Sequence, residues 1–281
     1  MTSLSGLLHL PETLQLIGLG LIGALIGSFL NVVIHRLPIM IDRGSGEDGD
    51  AGEDDRYDLA LPASACPSCG HRLRPWENVP LLSYLVLLGR CSACAAPIGW
   101  RYPVVEAASA AAGPLLTWHF GLTAQGLTAT VFVWFAIAIA AIDLRHMLIP
   151  DLLSLPLLWL GLLASTQNIF VTSSVAIIGA VAGYLAFLML SRVGARLTGH
   201  PVMGAGDAKL LGAIGAWIGW SHLPQVAVIA SVLGSIVGLA LVFSGNRHRS
   251  QPVPFGPFLL IGGVAALLWG GTLGAMFGLR G

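Results

Sequence analysis

Charge is scarce in this chain. Asp, Glu, Lys and Arg make up 10% of its 281 residues, against about 25% in an ordinary soluble domain, which excludes a freely soluble globular protein. The 14 basic and 14 acidic residues cancel, so the global balance points to no nucleic acid and no acidic partner. Cysteine is scarce as well. All four lie between positions 66 and 94, too few and too local for a disulfide framework spread along the chain. No basic stretch precedes the first apolar run, and that run, 14–34, is too long for the core of a cleaved signal peptide. It is expected to remain as a first helix. There is no fixed-period repeat, and no glycine-rich loop sits between a strand and a helix to cradle a nucleotide.

What is abundant is hydrophobic surface. The apolar set reaches 55%, mean hydropathy is +0.80 and there are 36 glycines, which membrane helices tolerate better than soluble ones. Apolar windows recur at 14–34, 104–121, 124–142, 152–166, 171–191, 207–221, 225–243 and 256–278. The fourth and sixth are short. Backbone in lipid must satisfy its own hydrogen bonds, and nothing alternates as a barrel strand would, so each window is expected to be helical. The fold class predicted is an all-α polytopic membrane protein of about eight transmembrane helices.

Basic residues orient that bundle. With eight spans, both termini and the even-numbered turns share a side that carries only Arg280; the other thirteen basic residues, from Arg36 to Arg249, fall on the opposite side. Cytoplasmic loops collect Lys and Arg, so the basic side is predicted to be cytoplasmic and both termini periplasmic. The boundaries expected are a first span over 1–36, a polar cytoplasmic segment over 37–64, a compact module over 65–102 and a seven-helix membrane domain over 103–281. Within the polar segment, 42–58 holds eight acidic residues and four glycines, a composition that favours disorder. Its acids lack EF-hand spacing.

Cys66-Pro-Ser-Cys69 and Cys91-Ser-Ala-Cys94 enclose 21 residues. Two such pairs form knuckles around one tetrahedral zinc ion. Two disulfides or free thiols are the alternative, which a cytoplasmic location disfavours. Four sulfurs close the coordination shell, so the site predicted is structural. His71 is a spare donor beside it.

Two aspartates stand at the edges of apolar runs. Asp143 lies in Ala-Ile-Asp-Leu-Arg-His-Met-Leu-Ile-Pro-Asp (141–151), and Asp207 in Met-Gly-Ala-Gly-Asp-Ala-Lys (203–209). A carboxylate at a membrane boundary is costly and marks function by default. The third span runs inward and ends near Asp143, while the sixth runs outward from Asp207, so both carboxylates are expected at the cytoplasmic end.

The ordered set of motifs resembles the bacterial type IV prepilin leader peptidases, membrane aspartic peptidases with a Gly-x-Gly-Asp motif. The resemblance runs through Gly27-Ser28-Phe29-Leu30-Asn31-Val32-Val33-Ile34-His35-Arg36-Leu37-Pro38, the paired cysteine knuckles, Arg101-Tyr102-Pro103-Val104-Val105-Glu106, Ile142-Asp143, Leu148-Ile149-Pro150-Asp151 and Gly204-Ala205-Gly206-Asp207-Ala208-Lys209. Ile149 replaces a frequent Leu, and the acidic stretch resembles a local insertion. The resemblance implies an inner-membrane endopeptidase that cuts prepilins or pseudopilins of a type IV pilus or type II secretion system after a leader glycine, on the cytoplasmic side. It also implies N-methylation of the new terminus with S-adenosylmethionine.

Peptide hydrolysis by two carboxylates needs one ionised and one protonated member, which like charges at close range supply. Asp143 and Asp207 are the expected catalytic pair. The helix start and Lys209 suggest Asp207 as the ionised partner. Gly204 and Gly206 allow a bend and close backbone approach; alternatively the motif is an N-cap turn. Asp151 is expected to cap the fourth helix. Glu106 is either a buried capping acid or part of a methyl-transfer site. Ser28, Asn31 and His35 share a helix face, either bonding neighbouring helices or lining a leader groove. His146 and His200 flank the two motifs without an assigned role. An ion- or proton-coupled transporter, or a zinc-module membrane scaffold, are the competing classes. Oligomeric state is left open, and membrane lipid is the one surrounding partner composition implies.

Overall fold

The computed structural model describes residues 11–45, 57–199, 203–244 and 253–276. The middle of the acidic stretch, His200, and Arg56, Arg247, Arg249 and Arg280 fall outside the described residues. A helix takes up most of each apolar window: α1 (Glu12–Ser45), α2 (Arg101–Phe120), α3 (Ala124–His146), α4 (Asp151–Thr166), α5 (Ser173–Thr198), α6 (Ala205–Ile218), α7 (Leu223–Phe243) and α8 (Gly256–Met276). Among the described residues, four stretches are long and apolar enough to cross a membrane, namely Glu12–Gly44, Ala124–His146, Ser173–Leu197 and Trp220–Phe243; Asp151–Thr166 and Gly256–Gly270 are shorter apolar helices. At 34 residues α1 is ~51 Å long, well beyond the ~30 Å of hydrocarbon. It overruns its apolar window and takes in positions 42–45, the beginning of the acidic stretch.

Two compact units divide the chain, residues 1–138 and 139–281, and the division falls inside α3. In the first, α1 packs along α2. The approach is so close that a Cβ on Gly23 would lie 2.3 Å from the Ser109 carbonyl oxygen, a seam that only a missing side chain permits. Trp134 of α3 donates its indole N–H to the same carbonyl at 3.1 Å. The segment after α1 is pinned back on it: buried Arg36 donates to the Asp58 carbonyl at 2.9 Å and to that of Pro62, and Arg43 lies over the Tyr57 ring.

The second unit is built around α6. This 14-residue helix is almost wholly buried from Leu210 to Ile218 and packs on α4, α5 and α8. A helix that is apolar all round belongs in the middle of a bundle. Gly179 and Gly215 set the α5–α6 distance, since a Cβ on Gly179 would sit 2.3 Å from the Gly215 oxygen. Trp217 closes the α4 side by donating to the Leu157 carbonyl at 2.8 Å. These contacts fix where the N-terminus of α6, and hence Asp207, lies.

Candidate active site and metal centre

Asp143 sits in the last turn of α3 and is 4% exposed. The helix stops four residues later, where Met147 adopts φ +51° and its N–H caps the Asp143 carbonyl at 2.9 Å. Buried Ile149 and Pro150 then lead into α4, the proline ending one helix and pre-setting the next. Asp207 lies in the first turn of α6, with Gly204 as the N-cap residue, and its Oδ2 accepts the Gly204 N–H at 3.2 Å. The Gly-x-Gly-Asp turn is therefore a helix start, with the aspartate at the third helical position and not at the cap itself. The structure brings the start of α6 and the loop that follows α3 together around Ile149. Ile149 packs between the flanking glycines: a Cβ on Gly206 would be 3.0 Å from its Cβ, and one on Gly256 would be 3.2 Å from its Cδ1.

Gly256 is a residue that the sequence reading missed. Its N–H, the first of α8, donates to Asp143 Oδ2 at 2.9 Å in a buried environment. A Cβ there would lie 2.6 Å from the same oxygen. The available signal was Pro254-Phe255-Gly256-Pro257, a glycine framed by prolines immediately before an apolar run.

Lys209 does not support the charge of Asp207. Its Nζ lies 2.7 and 2.6 Å from the two carboxylate oxygens of Asp151. The reason is helical geometry, because residues two apart point to opposite sides. Asp151 is corrected at the same time: Pro150 is the N-cap of α4, Asp151 is its first residue, and no side-chain capping bond is present. The ion pair instead ties the start of α4 to the start of α6.

In the first unit, Glu106 and Asn31 meet. Glu106 Oε2 accepts the Leu81 N–H at 2.8 Å, and Oε1 accepts from Asn31 Nδ2 at 3.4 Å. Asn31 also donates to the Tyr102 carbonyl at 3.1 Å. Glu106 thus caps no turn of its own helix; it joins α1, α2 and the turn at Leu81, whose φ is +59°. Of the face shared with Asn31, Ser28 is half-buried and His35 exposed. His146 is exposed.

The four cysteines converge. No disulfide forms among them, and all four sulfurs lie within 4.8 Å of one another, with Cys66–Cys94 at 3.9 Å and Cys69–Cys91 at 4.0 Å. Thiolates ~2.3 Å from a tetrahedral ion sit ~3.8 Å apart, so the cluster fits a bound metal. The two knuckles are built alike. Gly70 N–H closes on Cys66 O and Ala95 N–H on Cys91 O, each at 2.9 Å, and both residues take a positive φ, +70° and +57°. Backbone N–H groups of Ser68 and Cys69 lower the Cys66 thiol to about 6. The His71 N–H favours the Cys69 thiolate, but Cys94, burial, Cys66 and Cys91 together push that thiol up to about 12. A cation would remove this conflict between like charges.

His71 is not one of the four ligands. Its Nε2 lies 3.1 Å from Glu77 Oε2, and the same carboxylate takes the Ser92 hydroxyl at 2.5 Å and the Arg74 N–H at 2.8 Å. The Arg74 N–H, then Ser92 and His71, hold the Glu77 carboxyl down to about 2. One carboxylate thereby links the residue after the first knuckle to the inside of the second.

Helices long enough to span a bilayer, a buried Asp143 and a half-buried Asp207 at helix ends, and four cysteines that could hold a metal ion define a membrane protein with acidic groups at the ends of its helices. Comparison with known proteins narrows the class. Residues 21–120 match the bacterial peptidase A24 N-terminal domain, and residues 130–239 match the type IV leader peptidase family. The chain is 47% identical to the prepilin leader peptidase/N-methyltransferase of Pseudomonas aeruginosa, over 89% of each chain. It is 45% identical to the protein of that name from Burkholderia pseudomallei, over 93% of this chain and 87% of the other. Identity to the Aeromonas salmonicida protein of the same name is also 45%, over 90% of each. No solved structure matches it. The chain belongs to the type IV leader peptidase family.

Proposed function

We propose that this protein is a prepilin peptidase and N-methyltransferase whose peptidase step is carried by Asp143 and Asp207. One carboxylate, ionised, takes a proton from the attacking water, while the other, protonated, donates to the developing oxyanion of the scissile amide. The pair titrates as a unit. The observation that carries this reading is the packing of Ile149 against both Gly206, the neighbour of Asp207, and Gly256, whose N–H holds Asp143, in a chain of this family. Substrates are prepilins or pseudopilins, cut after the leader glycine at the cytoplasmic face of the inner membrane. The open backbone at Gly204 and Gly206 is where an extended leader would lie.

Topologically, all eight helices span, both termini are periplasmic, and the module over 65–102 is cytoplasmic. Thirteen of the 14 basic residues on one side support that orientation. The metal is zinc, held by Cys66, Cys69, Cys91 and Cys94, and it stabilises a module whose own core is too small to fold unaided. S-adenosylmethionine is the methyl donor. The Glu106–Asn31 pair is a candidate to orient the new N-terminal amine, a cation that a carboxylate recognises. Incubating the purified protein with a synthetic prepilin and the methyl donor tests both activities. Two product masses are expected, the released leader and a mature chain heavier by one methyl group; intact prepilin would overturn the proposal.

A further inference from the structure

Between the two knuckles, the short helix Leu82–Val86 turns its apolar side chains outward. Leu82 is 57% exposed, Leu85 68%, Val86 71% and Leu88 84%. Exposed Trp76 and Trp100 flank the segment in sequence, each with an arginine over its ring, Arg74 at 5.5 Å and Arg101 at 5.9 Å. A water-facing loop between two membrane helices does not sustain four such aliphatic side chains between positions 82 and 88. Aromatic rings and basic side chains, in contrast, are the residues that settle at headgroup level.

The depth of this segment is fixed by a hydrogen bond. The Leu81 N–H, one residue before the short helix, donates to Glu106, which also accepts from Asn31. Asn31 lies inside the apolar window of α1, three residues or ~4.5 Å from its end at position 34. Glu106 is five residues into α2. The beginning of the short helix is thereby held at the level of the spanning helices' apolar surface, which continues along α1 through exposed Leu21, Leu25 and Phe29. The Leu81 N–H is satisfied at that depth by Glu106, and those of Leu82 and Ser83 by the Pro80 and Val79 carbonyls, as backbone near hydrocarbon requires.

We infer that residues 82–88 form an interfacial segment whose leucines insert into the cytoplasmic leaflet, so that the cysteine module rests on the bilayer with lipid acyl chains as its partner. Arg74 and Arg101 sit beside the tryptophans where anionic headgroups would meet them. The inference depends on α1 spanning the membrane, not on the peptidase chemistry.

The test uses the unaltered protein in bilayers of phosphatidylcholine and phosphatidylglycerol, doped with a phosphatidylcholine carrying a diazirine in its acyl chain. After photolysis and digestion, mass spectrometry locates carbene adducts. Adducts on residues 82–88 are expected at a yield within about threefold of those on α1 residues 14–29, with none on 63–72. Labelled α1 beside an unlabelled 82–88 would overturn the inference and leave that surface to a protein partner. A second arm replaces Leu85 and Leu88 by Ser, with zinc content as the folding check. Partition into detergent micelles should be unchanged, while protection of the bond after Arg90 from trypsin in bilayers should fall at least tenfold; unchanged protection also contradicts it.

Discussion

The backbone N–H of Gly256 points at the carboxylate of Asp143, 2.9 Å from Oδ2. Residue 256 lies outside the 130–239 match to the family, yet it supplies a hydrogen bond to one of the two acids. It also gives Asp143 a backbone donor, where the sequence offered a helix start and Lys209 for Asp207 and nothing comparable for Asp143. Each aspartate receives one backbone N–H, Asp207 from Gly204 and Asp143 from Gly256.

A methyl group at position 256 should therefore misplace Asp143. Its Cβ would fall 2.6 Å from Oδ2, and an ångström of displacement at a reacting group costs on the order of 100-fold in rate. Gly256→Ala is expected to lower kcat by about that factor with KM within twofold. Gly262→Ala, which crowds Val226 and leaves Asp143 untouched, serves as the packing control. Steady-state cleavage of a fluorogenic prepilin peptide checks both.

The Lys209–Asp151 pair should act on stability more than on chemistry. Its side chains are 34% and 52% exposed, and exposed pairs contribute about 0.2–1 kcal/mol. A double-mutant cycle of Lys209→Met and Asp151→Asn, read by thermal melting in detergent, is expected to return a coupling in that range. Cleavage by Lys209→Met should stay within about threefold of the parent. A loss of several hundredfold would return Lys209 to the active site.

Metal removal should unfold the cysteine module and leave the helices in place. Cys66→Ser or prolonged chelation is expected to remove one equivalent of zinc and to open residues 65–97 to protease, as seen by limited proteolysis. Glu77→Ala should speed release of the metal to a chelator, because both knuckles lose a shared acceptor. Glu77 is ionised down to about pH 2. Its carboxyl is depressed on folding, so its contribution is complete above the ordinary carboxyl value near 4.5 and fades as pH falls from there towards 2.

The glycine seam between α5 and α6 predicts a steric penalty. Gly179→Leu drives a side chain into the Gly215 carbonyl, 2.3 Å from the Cβ alone. Overpacking of this kind costs about 1–3 kcal/mol, and here it also displaces the helix that carries Asp207. Lower melting temperature together with lost cleavage is expected, measured on the same detergent-purified sample.

What the sequence revealed follows from the range of the interactions involved. Runs of apolar residues permit only helices in lipid, so the eight long helices among the described residues could be placed from local composition, the short Leu82–Val86 helix could not, and Cys-x-x-Cys pairs announce their own geometry. The ends were less legible. Helix α1 continues to position 45 because a polar helix persists in water once nucleated, which hydropathy does not register. Partners distant in sequence were hidden altogether. Asp151 for Lys209 is 58 positions away, Leu81 for Glu106 is 25, and Gly256 for Asp143 is 113. Each of those bonds is set by how helices pack, not by spacing along one of them.

Cleavage by Asp143→Asn and Asp207→Asn proteins is the most direct measurement. Each substitution keeps the shape of the side chain and removes its ability to ionise. With zinc content and melting temperature unchanged, both variants are predicted to leave a synthetic prepilin intact, with rates at least about 1,000-fold below the parent. Either variant cutting at the parental rate would contradict the two-aspartate account.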